Sequence, residues 1–201
     1  MANSAYFVLA LGVLCAGCDI PAIEPGSSLV GTNRIPSAAI LSREVIYMAW
    51  DEDNSDGYLL SYELRPDDTL TIVHSSYGEG DALRVTISER TVRVSPEIAR
   101  RARAMIWRVR PAKMVDQVDE VAPVRPVGCK HSGLHDVGEL GVTFISKGNS
   151  KNINDDRYGA FELPYTSSCN TSAAIQARKV IWGAIRLLSA TTVNSSFDRI
   201  H

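Results

Sequence analysis

A cysteine, two histidines and two acids lie within eleven residues in the second half of the chain. They are Cys129, His131, His135, Asp136 and Glu139. Histidine changes its charge near neutral pH and Asp136 could orient one of the two rings, so this segment is the best candidate for a catalytic centre. Its spacing matches no zinc pattern, because zinc sites need three or four converging donors. We therefore expect no metal or other cofactor, and ordinary surface residues are the competing explanation.

An acidic segment, residues 51–57 with the sequence DEDNSDG, resembles the calcium-binding loop of EF-hand proteins. The resemblance implies as ligands Glu52, Asn54, Asp56, the Tyr58 carbonyl and Glu63. Pro66 would interrupt the helix that leaves such a loop, because proline clashes with the preceding helical turn. We therefore favour a solvated loop that leads into a strand over a calcium site.

Strands are predicted wherever short apolar runs alternate with polar residues. These runs are residues 58–64, 69–75, 83–88, 91–95, 141–147 and 158–163. The first two flank the turn-like sequence RPDD and the next two flank Glu89-Arg90, so each pair is expected to form a β-hairpin. Residues 43–50 fit either a strand or a helix.

Two helices are predicted to cover the strands. The first begins at Ser95 and Pro96, residue types typical of an N-cap and a first helical position. The second covers residues 172–188, is apolar over most of its circumference, and is expected to be largely buried. Together these elements predict a single α+β domain over residues 38–188, with an antiparallel sheet of about five or six strands and two covering helices. Residues 189–201 are expected to form a polar tail.

The two halves of the chain share a short likeness. Residues 102–107, ARAMIW, and residues 177–182, ARKVIW, are identical at four of six positions. Each half also has the predicted order strand, strand, helix, which raises the hypothesis of a duplicated ββα unit. In both copies an arginine precedes a tryptophan by four residues, so the arginine stem is expected to lie on the indole ring.

The overall composition excludes several classes of protein. The 201 residues are 22% charged and 45% hydrophobic, with a formal net charge of −2 and a pI near 6.1. This balance excludes a wholly disordered chain, and it argues against a protein whose whole surface binds nucleic acid. The sequence contains no Gly-x-Ser-x-Gly nucleophile elbow, no glycine-rich phosphate loop and no pair of Cys-x-x-Cys motifs.

The N-terminus has the pattern of an export signal. Residues 5–17 are an uncharged apolar run, which as a helix would be about 20 Å long. That length is too short to cross a bilayer and fits the apolar region of a secretory signal, so we predict residues 1–17 as a signal peptide. Ordinary secretion, and a buried N-terminal segment or a misplaced start, are the alternatives to the lipoprotein signal that the next residues suggest.

The sequence LCAGC at residues 14–18 resembles the lipobox of bacterial lipoproteins, in which a cysteine follows two small residues and an aliphatic one. The resemblance implies that Cys18 becomes the first mature residue and carries lipid. Cys15 departs from the aliphatic residue usual at its position. Residues 18–37, with three prolines and two glycines, are then a lipid anchor and flexible linker that hold the domain off a membrane.

Cys129 and Cys169 remain as an even pair once the two N-terminal cysteines are assigned. An oxidising compartment would permit a disulfide between them, closing a loop of 41 residues. The chain-entropy estimate for such a loop is about 4 kcal/mol of stabilisation. Two separate thiols are the alternative.

Charge is divided into two opposed blocks. Residues 51–68 carry seven acids and one base, whereas residues 84–113 carry nine bases and two acids. The basic block includes five arginines on or just after the first predicted helix, namely Arg100, Arg101, Arg103, Arg108 and Arg110. Three interpretations remain open for this region: contact with anionic lipid or an envelope polymer, contact with a protein partner, or pairing with the acidic block.

These observations predict an exported, lipid-anchored protein of the cell envelope that faces the periplasm or the cell exterior. Its role is expected to be binding or structural, with a membrane contact through the lipid and no nucleic-acid partner. The alternative is a secreted hydrolase or metal-dependent enzyme centred on His131, His135 and Asp136. Convergence of those three side chains in one pocket would favour the enzyme.

Overall fold

The computed structural model describes residues 43–52, 58–77, 84–126, 128–129, 139–148, 155–164 and 169–190. The strands are β1 (Glu44–Glu52), β2 (Tyr58–Leu64), β3 (Thr69–Tyr77), β4 (Arg84–Arg93), β5 (Glu139–Ser146) and β6 (Arg157–Pro164). The helices are α1 (Pro96–Ile106) and α2 (Ser172–Ser189), and short 3₁₀ turns cover Trp107–Val109 and Val118–Glu120.

All six strands form one antiparallel sheet in the order β4-β3-β2-β1-β5-β6. This confirms the predicted α+β fold with an antiparallel sheet and two helices. Residues 43–50, which fitted either a strand or a helix, belong to β1 except for Arg43, and β1 is central because it pairs with both β2 and β5. Ile46 and Met48 are buried while Tyr47 between them is only partly buried, which is the two-residue period of a strand.

The predicted hairpin of β2 and β3 is confirmed. Asp68 turns the chain with a φ of 64°, and the Asp67 Oδ1 atom accepts a hydrogen bond from the backbone N of Thr69 at 3.1 Å. An aspartate that bonds to the backbone two residues ahead is a common device of turns. The same bond lowers the pKa of Asp67 from its ordinary value.

The second predicted hairpin is wrong. Residues 84–93 form one strand, in which Glu89 and Arg90, expected to be a turn, pair with Val73 and Ile72 of β3. The partner strand β3 is nine residues long and offers backbone groups to both segments. Since β4 lies at an edge of the sheet, a charged pair in its middle is tolerated there.

One face of the sheet packs against both helices and forms the core. The sheet contributes Ile46, Met48, Tyr62, Leu64, Leu70, Leu140, Val142, Phe144, Phe161 and Leu163. The helices contribute Ala99, Ala102, Ile106, Ala174, Ala177, Val180, Ile181, Ala184, Ile185 and Leu188. Burial of this apolar surface is the main favourable term in folding.

Both helices begin at a hydroxyl N-cap. The Ser95 Oγ atom accepts a hydrogen bond from the backbone N of Ile98 at 3.3 Å, and Thr171 caps α2 in the same way. The two helices pack against each other. The flexible end of the Met105 side chain packs directly over Gly183 at this contact.

The topology is compatible with the hypothesis of a duplicated ββα unit. A half-turn about an axis normal to the sheet, between β1 and β2, exchanges β3 with β5 and β4 with β6, with matching strand directions. The helices that follow β4 and β6 pack together. Three pairs of buried helix residues are also separated by 75 positions: Ala99 and Ala174, Ala102 and Ala177, Ile106 and Ile181.

The connection between α1 and β5 covers the outer edge of β6. Val115 exchanges backbone hydrogen bonds with Tyr158, at 2.7 and 2.8 Å. The backbone N of Val124 donates to the carbonyl oxygen of Ala160 at 2.8 Å. These bonds satisfy backbone groups that an edge strand would otherwise leave unpaired.

Candidate functional site

The disulfide predicted from the cysteine pattern is present. Cys129 and Cys169 are bonded and their Cα atoms are 4.4 Å apart. Cys169 is fully buried and lies just before the N-cap of α2, so the bridge ties the segment before β5 to the second helix. Cys129 therefore offers no free thiol to the cluster of candidate catalytic residues.

His131, His135 and Asp136 lie outside the described residues, as does Cys18. In the described part of the chain, no group of three His, Cys, Asp or Glu side chains is placed to hold a metal ion. Glu139, the last member of the candidate cluster, is the first residue of β5.

A strand follows the acidic segment that resembles an EF-hand loop. β2 begins at Tyr58, whereas residues 53–57 lie outside the described residues. Glu63, the last implied calcium ligand, is instead paired with Arg65, whose Nε atom is 2.5 Å from the Glu63 Oε1 atom. The acidic segment therefore leads into a strand and not into the helix of an EF-hand, as the position of Pro66 predicts.

The five arginines of the basic region divide into two groups. Arg100 and Arg101 are exposed and Arg108 is partly exposed. Arg103 is only 1% exposed, and the side chain of Arg110 is 12% exposed. The prediction of a surface contact is therefore wrong for Arg103, because its side chain is buried, whereas Arg110 stays slightly exposed while it contacts Glu44.

Arg103 joins α1 to the ends of β1 and β2. Its Nη1 atom donates to the carbonyl oxygen of Glu44 at 2.6 Å, and its Nη2 atom donates to the carbonyl oxygens of Leu64 at 3.4 Å and Arg65 at 2.5 Å. Burial lowers the pKa of the Arg103 guanidinium, and the nearby Asp68 carboxylate opposes that shift. The carbonyl partners offset part of the cost of removing the charge from water, so Arg103 fixes the helix to the sheet.

Arg110 holds the side chain of the same glutamate. Its Nε and Nη2 atoms approach the Glu44 carboxylate at 2.9 and 2.6 Å in a bidentate pair. The Arg110 guanidinium also lies over the Trp107 ring, 4.8 Å from its centroid. Arg103 was expected on that ring and points inward instead. The first residue of β1 is thus held by two arginines from α1 and the segment after it.

The outer side of α2 carries a basic and aromatic stripe. Its members are Ile175, Arg178, Lys179, Trp182 and Arg186, and we call them the α2 stripe. Spacings of three or four residues place them on one side of the helix. Ile175 is 41% exposed, Lys179 and Arg186 are exposed, and the other two are partly exposed. α2 contains three bases and no acid.

Two open grooves flank Trp182. The larger, about 460 Å³, is lined by Tyr62, Trp182, Ile185, Arg186, Ser189 and Ala190. The smaller, about 360 Å³, is lined by Ile175, Arg178, Lys179, Trp182, Gly183 and Arg186. Among these described lining residues there is no acid. The grooves therefore place apolar surface directly beside positive charge.

Contacts between the sheet and α2 hold two of the aromatic side chains that line the larger groove, Trp182 and Tyr62. The Trp182 ring meets the Trp50 ring edge to face, with centroids 5.4 Å apart. The Tyr62 hydroxyl lies 3.2 Å from the Ser189 Oγ atom, and burial raises the pKa of Tyr62 above its ordinary value. Tyr62 is therefore neutral at physiological pH. Arg186 is the charged residue among those that line this groove.

Positive charge is concentrated on the side of the domain formed by α1, the 3₁₀ turn after it and α2, which we call the helix side. α1, the 3₁₀ turn after it and α2 together contain seven bases and one acid, Glu97, and of the bases only Arg103 is buried. A third groove, about 420 Å³, lies on the other face of the sheet and is lined in part by Glu139 and Glu162. Arg125 forms an ion pair with Glu162. Among the described residues, the lining of this third groove contains acids and no base, unlike the linings of the two grooves beside Trp182.

Comparison with protein-family models and with curated proteins finds no match to this chain. Within the described residues, neither helix is both long and apolar enough to cross a membrane. The geometry and charge of the helix side therefore carry the functional argument.

The α2 stripe is not among the contact residues predicted from the sequence. α2 was expected to be largely buried, and the basic surface was assigned to α1. The missed signal is the spacing of Arg178, Lys179 and Arg186 around Trp182, in a helix of 18 residues without an acid. The apolar majority of α2 hides this pattern, because an average over the helix is dominated by its buried side.

Proposed function

We propose that this chain is an exported, lipid-anchored protein of the cell envelope whose helix side binds an anionic component of that envelope. One observation carries the proposal. The two helices and the 3₁₀ turn after α1 present six fully or partly exposed bases and one acid, Glu97, and three of these bases line a groove beside the partly exposed Trp182. A local excess of positive charge attracts anions and raises their concentration near the surface.

The N-terminal sequence supports export and anchoring. Residues 5–17 have the length of a signal segment, and the likeness of residues 14–18 to a lipobox would make Cys18 the lipidated residue. The bond between Cys129 and Cys169 is of a kind that persists in oxidising compartments. These are independent features of the chain, and both are typical of exported proteins.

A lipid tether and a basic surface reinforce each other. A basic patch is a common second signal beside a lipid anchor. Each basic residue near an anionic membrane surface contributes about 1 kcal/mol. Tethering also makes the surface contact intramolecular, so an individually weak contact is sufficient.

Intact mass spectrometry of protein from the membrane fraction tests the anchoring. The expected mass lacks residues 1–17, includes lipid on Cys18, and is lower by two hydrogens because of the disulfide. Cys18→Ser should remove the added lipid mass, whereas the matched variant Cys15→Ser should retain it. An unprocessed chain, or a processed chain without lipid, contradicts the anchoring.

Vesicle binding at several ionic strengths tests the anionic partner. Purified protein should bind vesicles that contain phosphatidylglycerol, or an immobilised acidic polymer, more tightly than phosphatidylcholine vesicles. The preference should fall as salt is added, because exposed charges are screened over a Debye length of about 8 Å at physiological ionic strength. Equal binding to anionic and neutral surfaces contradicts this part of the proposal.

A further inference from the structure

The α2 stripe combines charge with exposed apolar surface. This combination distinguishes a lipid membrane from a polar polyanion as the anionic partner. We propose that α2 lies along the anionic surface of the membrane that holds the lipid anchor, with Trp182 at the level of the lipid headgroups and Arg178, Lys179 and Arg186 beside the lipid phosphates. This inference rests on the proposed function and names the partner of the same surface.

The spacing of the bases suits a flat layer of phosphates. The stripe extends from Ile175 to Arg186, which is about 16 Å of helix. Lys179 and Arg186 lie on either side of Trp182 along the helix, within about one turn of it. Both are exposed, so they can approach a charged surface without rearranging the core. The bases must come within about 8 Å of the phosphates, since salt screens exposed charges beyond that distance.

The apolar residues of the stripe favour a lipid surface over a polar polyanion. A polyanion would pair with the bases but would leave Ile175, which is 41% exposed, and Trp182 facing water. A lipid surface offers phosphate and hydrocarbon within a few ångströms of each other. The tryptophan side chain prefers this boundary, because its ring is apolar while its N–H is a hydrogen-bond donor.

Trp182 is already held in place before any contact with a membrane. Its edge-to-face contact with Trp50 restrains the ring, at 5.4 Å between centroids. A side chain that is restrained in the free protein loses little conformational freedom on binding, which lowers the cost of association. The residue is therefore suited to act as a rigid anchor point.

The route of the chain allows the lipid and the α2 stripe to reach the same membrane. Glu44, at the start of β1, is bonded to Arg103 and Arg110, so the chain enters the domain next to the helix layer. Twenty-four residues separate Cys18 from Arg43, a length that spans at most about 90 Å. A lipid on Cys18 can therefore lie in the bilayer while α2 rests on its surface.

Quenching of tryptophan fluorescence by brominated lipid tests this arrangement. The chain has three tryptophans, so full-length protein carrying Trp50→Phe and Trp107→Phe reports on Trp182 alone. Phosphatidylglycerol vesicles with brominated phosphatidylcholine should quench its emission several-fold more than brominated vesicles without phosphatidylglycerol. If the double variant does not fold, natural protein is compared with Trp182→Phe, and the natural protein should lose the larger fraction of its emission.

Matched charge variants show whether the bases cause the contact. Lys179→Gln with Arg186→Gln should lose most of the quenching in anionic vesicles. Arg93→Gln with Lys113→Gln removes two exposed bases from outside the two helices and should leave the quenching unchanged. Equal effects of the two pairs overturn the assignment of the contact to α2.

Flotation with pure phosphatidylcholine vesicles reports on the lipid anchor separately. Protein that floats with these vesicles, but whose Trp182 is not quenched in anionic vesicles, overturns the α2 contact while the anchoring stands. Quenching without flotation supports the α2 contact and contradicts the anchor. Binding to an acidic polymer or to another protein, without quenching by lipid, also overturns the inference.

Discussion

The Trp182 ring on α2 meets the Trp50 ring on β1 edge to face, with centroids 5.4 Å apart and an angle of 72° between the ring planes. The contact joins the outer side of the second helix to the central strand of the sheet. Edge-to-face pairs of this kind are favourable beyond the area that they bury. The position of the α2 stripe is therefore determined by the packing of the domain.

Replacing Trp50 should loosen Trp182. We expect Trp50→Leu, in a Trp107→Phe background, to lower the free energy of unfolding by about 1 kcal/mol, since an aromatic pair is lost. It should also make Trp182 more accessible to acrylamide. Urea denaturation and quenching measure the two effects. Unchanged accessibility of Trp182 would show that the Trp50 contact does not restrain it.

Removing the buried guanidinium of Arg103 should destabilise the domain strongly. Arg103→Met leaves the carbonyl oxygens of Glu44, Leu64 and Arg65 without this donor, at an expected cost of about 3 kcal/mol in the free energy of unfolding. Arg103→Lys should recover only part of the loss, because an ammonium lacks the fork geometry of a guanidinium. The matched change Arg100→Met, at an exposed position of the same helix, should stay within about 0.5 kcal/mol. Equal losses in denaturant titrations would refute the role given to Arg103.

Breaking the disulfide should lower the free energy of unfolding, because the unfolded chain gains conformational entropy when the cross-link is removed. Cys129→Ser with Cys169→Ser opens a loop with a sequence separation of 40, for which the entropic estimate is about 4 kcal/mol. Reductant should lower the thermal midpoint of the natural protein towards that of the variant. It should leave the variant itself unchanged, and a natural protein that is insensitive to reductant would argue against the bond.

Asp156 should make stability depend on acid pH. It is 3% exposed and accepts hydrogen bonds from the Lys147 Nζ atom at 2.6 Å and the Gly148 backbone N at 3.1 Å, which lower its pKa. Because the folded pKa lies below the unfolded value near 3.9, its stabilising effect is present above that value and is lost as the pH falls through the folded pKa. Asp156→Asn should therefore cost about 1–2 kcal/mol of unfolding free energy at pH 7.

The pH dependence separates this effect from a general loss of packing. Natural protein and Asp156→Asn should converge in stability once the pH is below the folded pKa. Asp116→Asn is the matched control, since that carboxylate is paired with Arg157 but its side chain is 77% exposed. A constant difference between Asp156→Asn and natural protein at every pH would contradict the assignment.

Local signals explain why much of the fold could be predicted. The N-terminus of α1 depends on Ser95 and Pro96, and the β2–β3 turn depends on the four residues between the strands. β4 was divided in the prediction because Glu89-Arg90 is typical of a turn, while its pairing with Val73 and Ile72 of β3 is a contact between distant positions. Tertiary pairing overrides such a local preference.

Contacts between residues distant in sequence also decide which residues of the candidate site could be predicted. Helical spacing places Arg103 near Trp107, but its inward direction is set by carbonyl oxygens 59 and 39 residues away in sequence, those of Glu44 and Leu64. The disulfide was predictable because the cysteines are few and form an even pair. The α2 stripe depends on which side of an apolar helix meets the sheet, and this is decided only when the elements pack.

The most direct test of the central claim is the partition of the variant Arg178→Gln, Lys179→Gln, Arg186→Gln into phosphatidylglycerol vesicles relative to phosphatidylcholine vesicles. The ratio cancels the contribution of the lipid anchor. At low ionic strength it should fall about 100-fold, since each base near the membrane contributes about 1 kcal/mol. The control variant Arg43→Gln, Arg93→Gln, Lys113→Gln, at exposed positions outside the two helices, should keep the natural ratio. A ratio for the α2 variant that equals that of the control would contradict the claim that the helix side contacts the membrane.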